Sequence, residues 1–174
     1  MKNNPRIAFI GAGLGGTAGA GLMAKAGFNV KVYEQAPSFA RMGAGIHLGP
    51  NVMKVMRKLE IEDELNRTGA HPDYWYSRDG ITGDVMAQIP LGDYALSHYG
   101  ASYLTVHRGD FHKLMTDALP DGVLEFNKKL DEIEDLGDKV VMKFADGTTE
   151  EADFVIGADG INSKVRESLL GEEL

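Results

Sequence analysis

Four consecutive apolar residues, Ile7-Ala8-Phe9-Ile10, run directly into Gly11-Ala12-Gly13-Leu14-Gly15-Gly16. A short run with no polar face suits a strand covered on both sides, as in a parallel sheet. The glycines follow the spacing G-x-G-x-x-G. That spacing permits a sharp turn, close approach of backbone to a ligand, and tight packing of the next helix on the strand. A helix of small residues is predicted to follow, through about Ala26, with Gly27 as its stop. Gly19 and Gly21 each cost such a helix about 1 kcal/mol relative to alanine, which close packing on the sheet would offset. Residues 28–33 read as the next strand, with Glu34 at its end, 23 positions after Gly11. The expected unit is therefore strand, helix, parallel strand.

Such a turn gives a diphosphate N–H donors, a helix N-terminus and little steric bulk. Glu34 stands where an acid accepts hydrogen bonds from ribose hydroxyls. Gly11, Gly13, Leu14, Gly16 and Glu34 are the candidate nucleotide-binding residues, the alternative being a merely structural glycine turn. An acid here suits an unphosphorylated ribose, as in NAD or the adenosine half of FAD, and the fingerprint does not separate the two.

Composition narrows the remaining classes. The 174 residues include 22 glycines, about 13% against a usual ~7%. They cluster in residues 11–21 and 43–49, so they suggest tight approaches to ligands, not a low-complexity tail. The net charge of -8 argues against a non-specific nucleic-acid binder. With no cysteine, disulfide scaffolds, thiolate metal sites and a cysteine nucleophile are excluded. No apolar run reaches the ~18 residues of a membrane-spanning helix. The apolar run after Arg6 is also too short for a secretory core of roughly 7–15 residues, so a cytoplasmic location is expected.

Further along, residues 41–49 form a glycine-punctuated loop containing His47. Pro50 and Asn51 open a helix with Val52, Val55, Met56 and Leu59 on one face. Residues 74–78 and 84–89 read as antiparallel strands about an Asp79-Gly80 turn. The aromatic cluster Tyr74-Trp75-Tyr76 is read first as sheet packing. Residues 102–106 form another strand, and Asp110 is placed to cap a helix carrying Phe111, Leu114, Met115 and Ala118. Residues 123–156 read as a meander with turns at 136–138 and 145–147. His107 and His112 are five apart, not one helical face, and no metal-ligand set emerges. His71 and His98 read as surface or structural.

The meander ends in Gly157-Ala158-Asp159-Gly160-Ile161-Asn162-Ser163-Lys164-Val165-Arg166. An Asp-Gly at a strand end can bring a carboxylate and backbone donors to a ribose–diphosphate edge. It can equally be a turn leading into a helix.

Together, the glycine fingerprint, the acid ending the second strand and the D-G-x-x-S-x-x-R pattern of Asp159, Gly160, Ser163 and Arg166 resemble the single-component FAD-dependent aromatic hydroxylases. The likeness runs from about Pro5 to the end and tightens over residues 41–53, 71–80, 89–92 and 106–110. It implies an α/β fold: a Rossmann-like βαβ FAD-binding fold with an antiparallel β meander and part of a substrate sheet. It also implies FAD as cofactor, NADH as co-substrate, O2, and a small aromatic acid as substrate. On the family pattern Glu34 and Gln35 hold the adenosine ribose region, Arg41 and Arg108 lie near the cofactor, and Asp159 lies near its diphosphate and ribityl linkage. His47 would be both a cofactor contact and the catalytic base. An imidazole suits the removal of a ring hydroxyl's proton near neutral pH. From composition alone His47 is an ordinary polar loop residue, and the arginines are solvated surface charges.

Complete members of that family are longer. The resemblance therefore implies that residues 1–174 are the N-terminal part of an FAD/NAD(P)-binding domain, with a substrate sheet beginning at about 71–106. Alone, such a part is expected to be inactive, to bind FAD weakly or not at all, and to self-associate through an exposed apolar sheet face. An NAD-dependent dehydrogenase and a non-catalytic nucleotide-binding or interaction module are the competing readings.

Overall fold

The fold is taken from a computed structural model that describes residues 4–39 and 43–171. In chain order its first elements are β1 (Arg6–Ile10), α1 (Leu14–Lys25), β2 (Asn29–Tyr33), β3 (Gly45–Leu48), α2 (Pro50–Lys58) and α3 (Glu62–Thr68). Then come β4 (Tyr74–Arg78), β5 (Val85–Pro90), α4 (Gly92–Tyr99), β6 (Leu104–His107), α5 (Arg108–Asp117) and β7 (Leu124–Glu125). The chain closes with β8 (Leu130–Asp135), β9 (Val140–Phe144), β10 (Thr149–Ala152), β11 (Phe154–Gly157) and α6 (Lys164–Leu170). It divides into two compact units, Met1–Ala40 with His112–Leu174, and Arg41–Phe111.

The first unit is built on a parallel sheet in the order β11-β1-β2-β7. Side chains of β1 alternate between two cores, as the pleat requires. Ile7 and Phe9 join Ala12, Ala20, Val30 and Val32 on one face. Ala8 and Ile10 join Tyr33, Leu130, Met142, Phe144 and Val165 on the other. This double covering is why β1 contains no polar residue after Arg6. Helix α1 lies close to the sheet: a Cβ on Gly19 would stand 2.8 Å from Phe9 Cε1. The antiparallel meander is β8-β9-β10 alone. The tail therefore differs from the sequence expectation at both ends, because β7 and β11 leave the meander to pair in parallel with β2 and β1.

In the second unit β3 pairs antiparallel with β6. Pro50 opens α2 at its first turn, and the face it buries centres on Met53 and Met56. Met53 is absent from the stripe expected on sequence; Val52 and Val55 are only partly covered. Helix α5 starts at Arg108, so Asp110 lies in its first turn and is not its cap, and Arg108 is not upstream of the helix. The ribbon β4–β5 is exposed along both strands. Tyr74, Trp75 and Tyr76 lie on this sheet and keep 46–47% of their surface, so they are not enclosed in a core. A two-stranded ribbon has too few neighbours to cover both of its faces.

Tyr33 shows what the first core does to a polar group. Its ring lies 4.8 Å from that of Phe144 and is 4% exposed. Burial, then the charges of Glu150 and Glu125, hold its phenol well above the ordinary tyrosine range. The folded chain thus keeps a proton that the unfolded chain releases near pH ~10. Stability from this group is complete below that pH and falls as pH rises beyond it. Urea unfolding midpoints of the wild-type chain are expected to drop between about pH 9 and 11. Y33F, which keeps the ring, should flatten that part of the alkaline limb.

Candidate functional site

The two glycine-containing motifs, far apart in sequence, meet in the first unit. Gly11 turns out of β1 with φ +98°, and a Cβ there would lie 2.4 Å from the carbonyl oxygen of Ala158. A Cβ on Gly16 would lie 2.1 Å from the carbonyl oxygen of Gly11. Both positions are closed to any side chain, by protein backbone. Gly13 is different. Its φ is -62°, and among the described residues nothing stands within 4 Å of where its Cβ would be. It borders a cavity of about 570 Å³ lined also by Gly11, Tyr33, Glu34, Gln35, Lys128, Lys129, Asp159 and Lys164.

Gly13 is also the N-cap of α1. Among the described residues no side chain caps this end, and the first turn holds no acid. Its N–H groups and the positive end of the helix dipole therefore remain available to an anion. Room beside Gly13, uncapped donors and nearby cations fit a dinucleotide diphosphate.

Glu34 is engaged more closely with protein than the sequence suggests. Its Oε2 accepts the N–H of Ala12 at 2.8 Å and its Oε1 that of Ala36 at 2.9 Å. A carboxylate offers about four acceptor sites, so two remain for ribose hydroxyls. Gln35 is exposed at the cavity edge.

Asp159 likewise works inside its own motif. It accepts the Ser163 hydroxyl at 2.5 Å and the Val165 N–H at 3.2 Å. The Ser163 oxygen in turn caps α6 by accepting the Arg166 N–H at 3.0 Å, while the Arg166 guanidinium reaches the carbonyl of Ile161 at 2.5 Å. The pattern D-G-x-x-S-x-x-R is thus a self-closing turn into a helix, and its outer rim lines the cavity.

The cavity's cations escape a reading of the sequence. Lys128 is held by Asp146 at 2.8 Å and by the Thr148 hydroxyl at 2.7 Å. That pairing raises the pKa of Lys128 and holds Asp146 well below the usual carboxylate range. The Lys129 ammonium has no carboxylate partner among the described residues. The only signal is a Lys-Lys step ahead of Leu130 in an acidic chain, and nothing local ties it to Gly13. Of the expected arginines, Arg41 lies outside the described residues. Arg108 opens α5 in the second unit, exposed, its Cβ 3.0 Å from the Cβ position of Gly43.

His47 also belongs to the second unit. It lies on β3 opposite Thr105, exposed, its ring 5.0 Å from that of Trp75 and 5.8 Å from that of Tyr103. Among the described residues no group of three His, Cys, Asp or Glu could hold a metal ion, and no helix is long and apolar enough to cross a membrane.

A profile of the FAD binding domain matches residues 6–172. Over all 174 residues the chain is 70% identical to 6-hydroxynicotinate 3-monooxygenase of Bordetella bronchiseptica and 68% identical to that of Pseudomonas fluorescens. It spans 45% of the length of each of these relatives. Among solved structures, HpxO of Klebsiella pneumoniae, complexed with FAD and uric acid, superposes with a TM-score of 0.85 at 28% identity. That match covers 99% of this chain and 43% of HpxO.

The glycines yield opposed outcomes. G16A should lower unfolding stability by about 2 kcal/mol or more, since the clash is with backbone. G13A should leave the melting temperature near that of the wild type and weaken FAD binding at least tenfold, read by flavin fluorescence.

Proposed function

The chain belongs to the FAD binding domain family, and on that premise we propose that it holds FAD for an NADH-consuming monooxygenase acting on 6-hydroxynicotinate. The observation that carries this reading is the 70% identity, maintained over the whole chain, to a 6-hydroxynicotinate 3-monooxygenase. In the proposed reaction one atom of O2 enters the ring at the carbon bearing the carboxylate. The other leaves as water with two electrons from NADH. The carboxylate departs as CO2, and 2,5-dihydroxypyridine remains. NADH as reductant suits a cytoplasmic setting.

Bound FAD would supply the redox chemistry that activates O2. The chain's own residues do the rest. Gly13 and the first turn of α1 receive the diphosphate with backbone N–H groups. The free acceptor sites of Glu34, with Gln35, hold the adenosine ribose. Lys129 offsets phosphate charge in a chain of net charge -8. Asp159 keeps the Gly160 turn in shape beside the ribityl linkage. His47 takes the proton from the substrate's ring hydroxyl at an imidazole nitrogen, which makes the ring electron-rich where it must attack. Trp75 and Tyr103, flanking His47, limit how the imidazole can turn. Arg41 and Arg108 are kept as proposed cofactor contacts on the family pattern.

The test begins with FAD titration of the purified chain. NADH consumption is then followed with and without 6-hydroxynicotinate, with the remaining portion of the Bordetella relative supplied as a separate chain. Flavin uptake, stimulation by the aromatic acid and appearance of 2,5-dihydroxypyridine support the reading. Uptake of NAD in place of FAD favours a dehydrogenase, and a flat response to the aromatic acid favours a binding module. H47Q should cut product formation about a hundredfold or more while FAD affinity changes little.

A further inference from the structure

His112 is a half-buried ring that the reaction above does not use. Its Nε2 lies 2.6 Å from the carbonyl oxygen of Ala12, inside the glycine-rich turn and 100 positions away in sequence. A carbonyl can only accept, so Nε2 carries the hydrogen. The other face of the contact is apolar, with the Phe39 ring centroid 4.1 Å from that of His112. The same Ala12 oxygen accepts the hydroxyl of Thr17 at 3.0 Å. Ala12 is fully buried.

The C=O of Ala12 and the N–H of Gly13 belong to one planar peptide, and no peptide bond among the described residues is cis. They therefore point in opposite directions. Fixing the carbonyl toward His112 and Thr17 fixes the Gly13 N–H away from them, at the residue that borders the cavity. Thr17 lies one turn into α1 and moves with that helix. His112 is on α5, so among the described residues only its bond ties this peptide to an element outside the strand–turn–helix itself.

We infer that His112 is a positioning residue of the cofactor site, holding the Ala12–Gly13 peptide in the orientation that presents the Gly13 N–H to a diphosphate. The inference rests on the FAD reading for its ligand, but not for the geometry of the turn. It separates two roles for one ring. A packing role needs the aromatic face against Phe39. A positioning role needs the Nε2–H donor.

H112F keeps the ring and loses the donor, while H112Q keeps a donor amide at about the same reach and loses the ring. FAD titration is expected to show H112F weakened about tenfold and H112Q within about threefold of the wild type. Equal weakening, the reverse order, or no effect of H112F would overturn the assignment. Should the wild-type chain take up no FAD, the cofactor reading fails separately. Amide exchange across residues 11–17 of the unliganded chain then decides the matter: faster in H112F and unchanged in H112Q supports positioning, and any other order rejects it. If H112F does not fold, histidine nitrogen NMR of the wild-type chain takes its place. An Nε2–H tautomer with a slowly exchanging ring hydrogen supports the inference, and an Nδ1–H tautomer refutes it.

Discussion

The backbone of a single residue governs how the first unit is put together. Ala12 belongs to neither strand nor helix, yet it has no solvent exposure. Buried backbone groups that lie outside regular structure must find partners or cost free energy. Here the N–H goes to Glu34 at the end of β2, and the C=O to Thr17 on α1 and His112 on α5. Three elements are thereby tied to one turn. Its path allows Gly11 to pass under Ala158 and Gly16 to sit against Gly11. Without that path the cavity beside Gly13 would have a different floor.

The same contact revises the meaning of Glu34. The acid at the end of the second strand is read from sequence as a ribose ligand. In the fold it is first the acceptor that settles a buried N–H, and only its remaining lone pairs face outward. One carboxylate carries both tasks because the turn and the cavity share a wall. Charge at the site follows a similar economy. The cations come from the entry to β8 and the start of α6, and Asp146 and Glu167 hold two of them in place.

Local order is legible in the sequence wherever neighbours in sequence are neighbours in space. The apolar run before Gly11, the helix stop at Gly27 and Pro50 at a helix start all report on contacts within a few residues. Expectation and structure part where the deciding contact is distant. Phe154-Val155-Ile156 reads as meander because it follows β10 directly, although its partner is β1. Helices α3 and α4 leave little periodic signal, since each buries a single side chain, Leu65 in one and Ala95 in the other. Lys129 and His112 are beyond reach for the same reason: each matters through a turn roughly a hundred positions earlier. The motif at Asp159 is visible, but its pattern alone cannot show that its carboxylate and hydroxyl are spent on capping α6.

The placement of β1 between β2 and β11 has a consequence for biosynthesis. Ile7 pairs with Val30 on one side and with Phe154 on the other. The first partner leaves the ribosome almost at once. The second follows after about 124 more residues, roughly 6–25 s at ordinary elongation rates. Throughout that interval the nascent chain carries an apolar strand with one hydrogen-bonding edge unfilled, the kind of edge that recruits foreign strands. Holdase chaperones that shield such edges during translation would therefore bear more on the yield of this protein than on its final stability.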